Sequence, residues 1–155
     1  MNEGKKFEED FKKSIPSWCW CYRFRDSAGT WQGGSKTRFT PSNICDFMVM
    51  ADKLFLLELK SHKGSSIPIN CIRENQLKQM SEIEKSNIAA YFIFNFRDKE
   101  KTYAIKAKEV KSYVEGTQRK SIPISWCEEN GIEILSTKKK VRYRYNLTEM
   151  FGGQQ

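Results

Sequence analysis

The stretch from Asn43 to Lys63, NICDFMVMADKLFLLELKSHK, sets the tightest limit on how this chain folds. It reads as two apolar strands, 44–50 and 54–60, turning at Ala51-Asp52-Lys53. Runs this apolar belong in the interior of a sheet. Three charges interrupt them: Asp46 in the first strand, Glu58 and Lys60 in the second. Alternation places Glu58 and Lys60 on one face with Leu54 and Leu56, and Asp46 on a face with Ile44 and Met48. Charges in such strands are costly unless they are paired or bound to a metal.

The spacing Asp-x11-Glu-x-Lys suits phosphodiester hydrolysis. Two carboxylates at the centre of a hairpin can hold Mg²⁺, a hard cation that takes oxygen ligands and keeps several waters. Such an ion neutralises a phosphate and acidifies a bound water. Lys60, pointing the same way, can orient the attacking water or stabilise charge on the phosphorane. The same three residues also fit a plain reading, a buried ion pair with a structural role only.

The rest of the composition narrows the class. A chain of 155 residues suffices for one domain with a real core. No apolar run approaches the roughly 18 residues of a membrane span, and the charged start MNEGKKFEEDF has no signal-peptide core. A formal charge of +8 points to a polyanionic partner. The five cysteines are odd in number and include no CxxC pair, which fits free thiols in a reducing compartment. With His62 the single histidine, neither a structural zinc site nor histidine-based nuclease chemistry is expected.

Along the chain, 2–13 reads as a helix with Asn2 as its N-cap and Phe7 and Phe11 facing the core. Glu8 sits at the edge of that stripe, where it is either a solvated glutamate or directed toward Asp46. The aromatic stretch 18–24 reads as a strand with Trp18, Trp20 and Tyr22 on one face. A long loop, 26–42, carries Lys36 and Arg38 beside Trp31 and Phe39, a combination that can contact a nucleic-acid backbone and stack on bases, or simply form a surface loop. Residues 61–70 leave the Glu58-Leu59-Lys60 end directly, so Ser61, Lys63, Ser65 and Ser66 are candidates to meet a phosphate; an ordinary polar turn is the alternative. A second helix, 73–86, carries Gln76 on its apolar stripe, where it satisfies a core backbone group or reaches an active site. A buried strand at 87–96, a short strand at 102–105 and a helix at 106–115 follow. The stretch KKKVRYRY, 138–145, reads as one strand with Lys140, Arg142 and Arg144 on one face and Lys139 on the other, a basic surface for DNA or a lysine-protected edge. Residues 150–155 read as a frayed tail. No internal repeat or linker divides the chain, so it reads as one domain, 1–155.

With these residues in place, the chain resembles the RecU-type Holliday-junction resolvases and their phage-encoded relatives, within the PD-(D/E)xK nuclease superfamily. Gly4-Lys5-Lys6-Phe7-Glu8 is similar to the opening helix motif, Asp46 to the metal-binding aspartate, Glu58-Leu59-Lys60 to the E-x-K tripeptide, the serines of 61–68 to the family's serine segment, and Gln76, followed by Met80, to the helical glutamine. A lone E-x-K carries little weight; the ordered set carries much more. The resemblance covers 4–110 as a core and leaves 111–155 as a basic extension. Cys45 stands where the superfamily often has proline, and the segment corresponding to the family's stalk, 26–42, is short.

The resemblance implies a restriction-endonuclease-like α/β fold, a mixed β-sheet flanked by helices. It implies a homodimer that nicks four-way DNA junctions in two symmetric places with Mg²⁺ or Mn²⁺, leaving 5′-phosphates, in the cytoplasm of a bacterial host, with no membrane partner. In that scheme Asp46, Glu58 and the Leu59 carbonyl bind the metal, Glu8 supports it or its water, Lys60 positions the nucleophile, and Gln76 orients a water or the lysine. Two other functions fit the residues: a restriction- or repair-type nuclease acting on duplex, and a DNA-binding protein without catalysis.

Overall fold

The computed structural model describes residues 2–25, 43–85 and 87–152. The chain opens with helix α1 (Glu3–Ser14) and continues through strands β1 (Trp20–Arg23), β2 (Phe47–Met50), β3 (Leu54–His62) and β4 (Ser66–Pro68) to helix α2 (Glu74–Ile83). Next come β5 (Ile88–Phe96), β6 (Lys101–Lys106), α3 (Ala107–Gly116), β7 (Ser121–Pro123), α4 (Ile124–Asn130) and β8 (Ile132–Glu133). A hairpin of β9 (Ser136–Lys139) and β10 (Arg142–Tyr145) precedes the last turn of helix, α5 (Thr148–Phe151).

Six strands form one mixed sheet in the order β1-β2-β3-β5-β6-β8. The pair β3–β5 is parallel and every other neighbouring pair is antiparallel. A parallel pair needs a crossover, and α2 supplies it between β3 and β5. Both central strands are covered on both faces, which is why they read as nearly unbroken apolar runs. On one face Phe55, Leu57, Leu59 and Ile93 pack with Phe7 and Phe11 of α1 and with Tyr145, Leu147 and Phe151 from the C-terminal part. On the other, Leu56, Phe92 and Phe94 pack with Leu77 and Met80 of α2 and Val110 of α3. The mixed sheet flanked by helices is therefore the fold that the sequence implies.

Local chemistry explains the boundaries. The Asn2 side chain accepts from the Lys5 amide at 2.8 Å and caps α1, while Ile15, ahead of Pro16, is already extended. The 2–3 hairpin closes through the Ala51 amide to the Lys53 carbonyl at 3.0 Å. The first hairpin strand begins at Phe47, later than the apolar run suggests, and the second runs on to His62. The turn into β4 uses Gly64 at φ +92°, a left-handed conformation that glycine adopts without a Cβ clash.

Two sequence expectations are corrected. Residues 138–145 do not form one strand. They turn back at Lys140, which lies at φ +58°, so that Arg142 pairs with Lys139 and Tyr145 with Ser136. Nor is the C-terminus frayed through Phe151: α5 buries Met150, and Phe151 is 0% exposed against Phe55. A ring with a sheet face to cover is not visible as such from a six-residue end, MFGGQQ, that is mostly glycine and glutamine.

Candidate active site

Asp46 lies one residue before β2, and its backbone continues the sheet on both sides. Its amide donates to the Leu57 carbonyl at 3.0 Å, and its carbonyl accepts from the Phe24 amide at 2.9 Å. Its side chain turns onto β3, where Oδ2 accepts from the Leu59 amide at 2.7 Å. Within a strand the N–H and C=O of one residue point the same way, so the Leu59 carbonyl is directed toward the Asp46 side as well.

Glu58 projects from β3 to the α2 face and is 3% exposed. Its Oε2 lies 3.1 Å from the Lys60 Nζ, while its Oε1 is buried with no hydrogen-bond partner. Asp46 and Glu58 face each other closely. Burial and the neighbouring Glu58 carboxylate push the Asp46 carboxyl up to about 7, although the Leu59 amide and Lys60 act in the opposite direction. Two carboxylates and an unsatisfied buried oxygen form a site short of positive charge. A hard divalent cation with oxygen ligands fits that donor set.

From α2, Gln76 is 4% exposed, and its Nε2 donates to the Asn43 carbonyl at 3.0 Å. Its Oε1 is buried without a partner. Cys45 is next to the carboxylates; its thiol is pushed up to about 12 by burial and then by Glu58, so it stays protonated. Cys71 lies near enough to feel both Lys60 and Glu58, and its Sγ donates to the Pro68 carbonyl at 2.9 Å. No sequence signal marked Cys71, which sits in the turn ahead of α2.

The structure thus gathers Asp46, Glu58 and Lys60 at the hairpin and holds Gln76 beside Asn43. Glu8 is placed differently. It forms an ion pair with Arg23, whose Nη1 also donates to the Phe24 carbonyl at 3.1 Å. Among the described residues no group of three or more His, Cys, Asp or Glu side chains could hold one ion, so Glu8 does not complete a ligand set with Asp46 and Glu58 here. Through Arg23 it is linked to the Phe24 backbone, which bonds Asp46. Arg23 escaped the sequence reading, although strand alternation already put it opposite the aromatics. A Cβ at Gly4 would meet nothing nearer than the Asn2 Oδ1 at 3.5 Å, so packing alone does not require that glycine.

Ser61 is turned away from the carboxylates by the same alternation that unites Glu58 with Lys60. Its hydroxyl donates to the Asn95 Oδ1 at 2.7 Å and accepts from the Arg97 Nη1 at 3.3 Å. Asn95, the polar exception inside the apolar run 88–96, is satisfied in turn by the Thr102 hydroxyl at 3.0 Å. Lys63 and Ser65 are exposed and Ser66 is half-buried, on the segment leaving β3. Lys36 and Arg38 lie outside the described residues.

The C-terminal basic residues are partly used within the chain. The Arg142 Nε donates to the buried Asp10 at 2.6 Å, its Nη2 donates to Glu9 at 3.0 Å, and Arg144 donates to the Lys13 carbonyl. Arg142 and Arg144 thus clasp α1, while Arg144 stays exposed and Arg142 half-buried. Lys139 and Lys140 remain exposed at the hairpin turn.

The fold is that of a Holliday-junction-resolvase-like α/β domain. It matches the 1.6 Å structure of Archaeoglobus fulgidus Hjc, a Holliday junction resolvase from an archaeal hyperthermophile, with a TM-score of 0.54 at 16% identity, over 84% of this chain and 95% of that one. Residues 26–148 match the family model described as RecU, Recombination protein U, and the chain belongs to that family. It is 33% identical over 168 residues to the SPbeta prophage-derived uncharacterized protein YotM of Bacillus subtilis (strain 168), covering 97% of this chain and 86% of that protein. It is also 29% identical over 76 residues to the Holliday junction resolvase RecU of Lactococcus lactis subsp. cremoris (strain SK11), covering 48% of this chain and 36% of that protein. No described helix is long and apolar enough to cross a membrane.

Proposed function

We propose that this protein is a divalent-metal-dependent endodeoxyribonuclease that acts as a homodimer and resolves four-way DNA junctions by paired, symmetric nicks. Membership of the RecU family supports the substrate class. The observation that carries the chemistry is the half-buried Asp46 beside the buried Glu58, with an unpartnered Glu58 oxygen and Lys60 at 3.1 Å. Two carboxylates this close, sharing one lysine ammonium, leave a deficit of positive charge that a simple one-to-one ion pair does not have.

Asp46, Glu58 and the Leu59 carbonyl are the groups that would hold Mg²⁺ or Mn²⁺. The ion, when bound, supplies charge neutralisation at the phosphate and a more acidic water. The chain's own residues do the positioning. The Leu59 amide fixes one Asp46 oxygen and leaves the other for binding. Lys60, tethered to Glu58, presents an ammonium to the water or to the phosphorane oxygens. Gln76, anchored through its amide nitrogen to Asn43, offers a carbonyl oxygen that can accept from a water or from Lys60. Glu8 acts at one remove, by holding Arg23 against the Phe24 carbonyl beside Asp46.

Cleavage of a labelled synthetic four-way junction beside a linear duplex of the same sequence, with Mg²⁺ or with EDTA, tests the proposal. Paired symmetric nicks on the junction, absent in EDTA, are the expected result. Metal-dependent cutting of both substrates alike would leave a duplex nuclease. Tight junction binding without any cutting would return Asp46, Glu58 and Lys60 to a structural role.

A further inference from the structure

The face of the sheet that carries the carboxylates does not end at them. β1 pairs with β2 so that Tyr22 lies opposite Met48 and Trp20 opposite Met50. Met48 and Met50 in turn lie opposite Leu56 and Leu54. Alternation along β3 puts Leu56, Glu58 and Lys60 on that same face. Phe24, Tyr22 and Trp20 therefore run outward along the edge strand from the residue whose amide binds the Asp46 carbonyl.

These rings are arranged as a row. Trp20 and Tyr22 are near-parallel, at 16° with centroids 6.3 Å apart, and Tyr22 meets Phe24 edge-on at 5.3 Å. Unlike the aromatics of the core, they are open to solvent: Trp20 is 56% exposed, Tyr22 45% and Met50 48%. Among the described residues, α2 and α3 cover the central strands on this face and not the β1 end. Exposed apolar stripes of this kind mark binding surfaces.

We infer that Trp20 and Tyr22 form a stacking platform for DNA bases that are unstacked at the branch point, next to the phosphodiester held at Asp46 and Glu58. This rests on the nuclease reading for the presence of DNA at the carboxylates. Three observations select bases over a second copy of the chain. The row is continuous with the catalytic face. Its steps follow the strand repeat of about 6.6 Å per two residues, and flat rings accept any base because every base has a π-face. The stripe is also small: three side chains of roughly 150–250 Å² each, about half exposed, offer about 300 Å², against about 800 Å² per partner in a stable protein interface. The net charge of +8 supplies the attraction for the strand that bears those bases.

The test measures binding without metal, so cleavage does not enter. A four-way junction carrying 2-aminopurine at the exchange point is titrated in EDTA with the full chain, with the double variant Trp20→Ala/Tyr22→Ala, and with Trp20→Phe/Tyr22→Phe. The alanine variant should bind the junction about tenfold or more weakly and lose the 2-aminopurine response. The phenylalanine variant should retain most of both, and affinity for a linear duplex should be unchanged. Both positions are exposed, so thermal unfolding should be unaltered. An unchanged 2-aminopurine response in the alanine variant overturns the inference. So does a drop in oligomeric state on sedimentation, which would make the stripe a contact between copies. Ring-dependent binding in a protein that never cuts DNA would uphold the platform and overturn the nuclease reading instead.

Discussion

The backbone amide of Leu59 donates to Oδ2 of Asp46 at 2.7 Å, across the hairpin and just ahead of the first residue of β2. That bond orients the Asp46 carboxylate beside Glu58. Asp46→Asn can keep an oxygen acceptor for Leu59, so the hairpin should survive. Junction cleavage in Mg²⁺ should fall by on the order of 10³-fold. Junction binding in EDTA should hold or tighten, because a negative charge beside phosphate is removed. Gel-shift and cleavage assays on one preparation check both; equal loss of binding and cutting would refute the assignment.

The raised Asp46 pKa gives a signed pH dependence for the metal-free protein. The carboxyl titrates near 7 in the folded state against 3.8 as the ordinary value. Between those limits the native state binds the proton that the unfolded state releases, so stability falls as pH rises through this window. Thermal unfolding in EDTA at pH 5 and pH 7.5 should show the loss, and Asp46→Asn should flatten it. Mg²⁺ should raise the melting temperature of the parent at pH 7.5 and leave Asp46→Asn nearly unmoved.

Gln76 is anchored at one end and open at the other. Gln76→Leu removes the bond to the Asn43 carbonyl and the unpartnered oxygen together. Junction cleavage should drop about 10- to 100-fold, the scale seen when groups that orient a metal site are lost. Binding in EDTA should change little. An unaltered cleavage rate would assign Gln76 to core packing alone.

Phe151 tests whether the C-terminus belongs to the core. Its ring is fully buried and meets Phe55 edge-on at 5.0 Å. Phe151→Ala should cost about 3–5 kcal/mol, read as a shift in the urea midpoint at constant slope. A change within a few tenths of a kcal/mol would show the last turn to be dispensable.

The site was legible in the sequence to the extent that strand alternation carries it. Glu58 and Lys60 sit two apart in an apolar run, so their shared face follows from period alone. The burial of Phe7 and Phe11 follows equally from helical spacing. The same rule would have turned Ser61 away from the site, where it now meets Asn95 and Arg97. Glu8 was not legible in this way, because its partner Arg23 is 15 residues distant and on another element.

What the sequence determined by itself is local and periodic: the Asn2 cap, the apolar hairpin with its embedded charges, the buried run 88–96 and the excess of positive charge. Each is set by neighbours within a few residues, through backbone sterics and side-chain alternation. The tertiary structure alone decided which long-range partners those groups take. It folded 136–145 into a hairpin clasped to Asp10 over 132 residues of chain. It drew Phe151 under the sheet, and it left Glu58 with a buried oxygen unsatisfied. Those outcomes depend on how two packed faces share limited space and on where charge finds a partner out of water, and neither is encoded within any one segment.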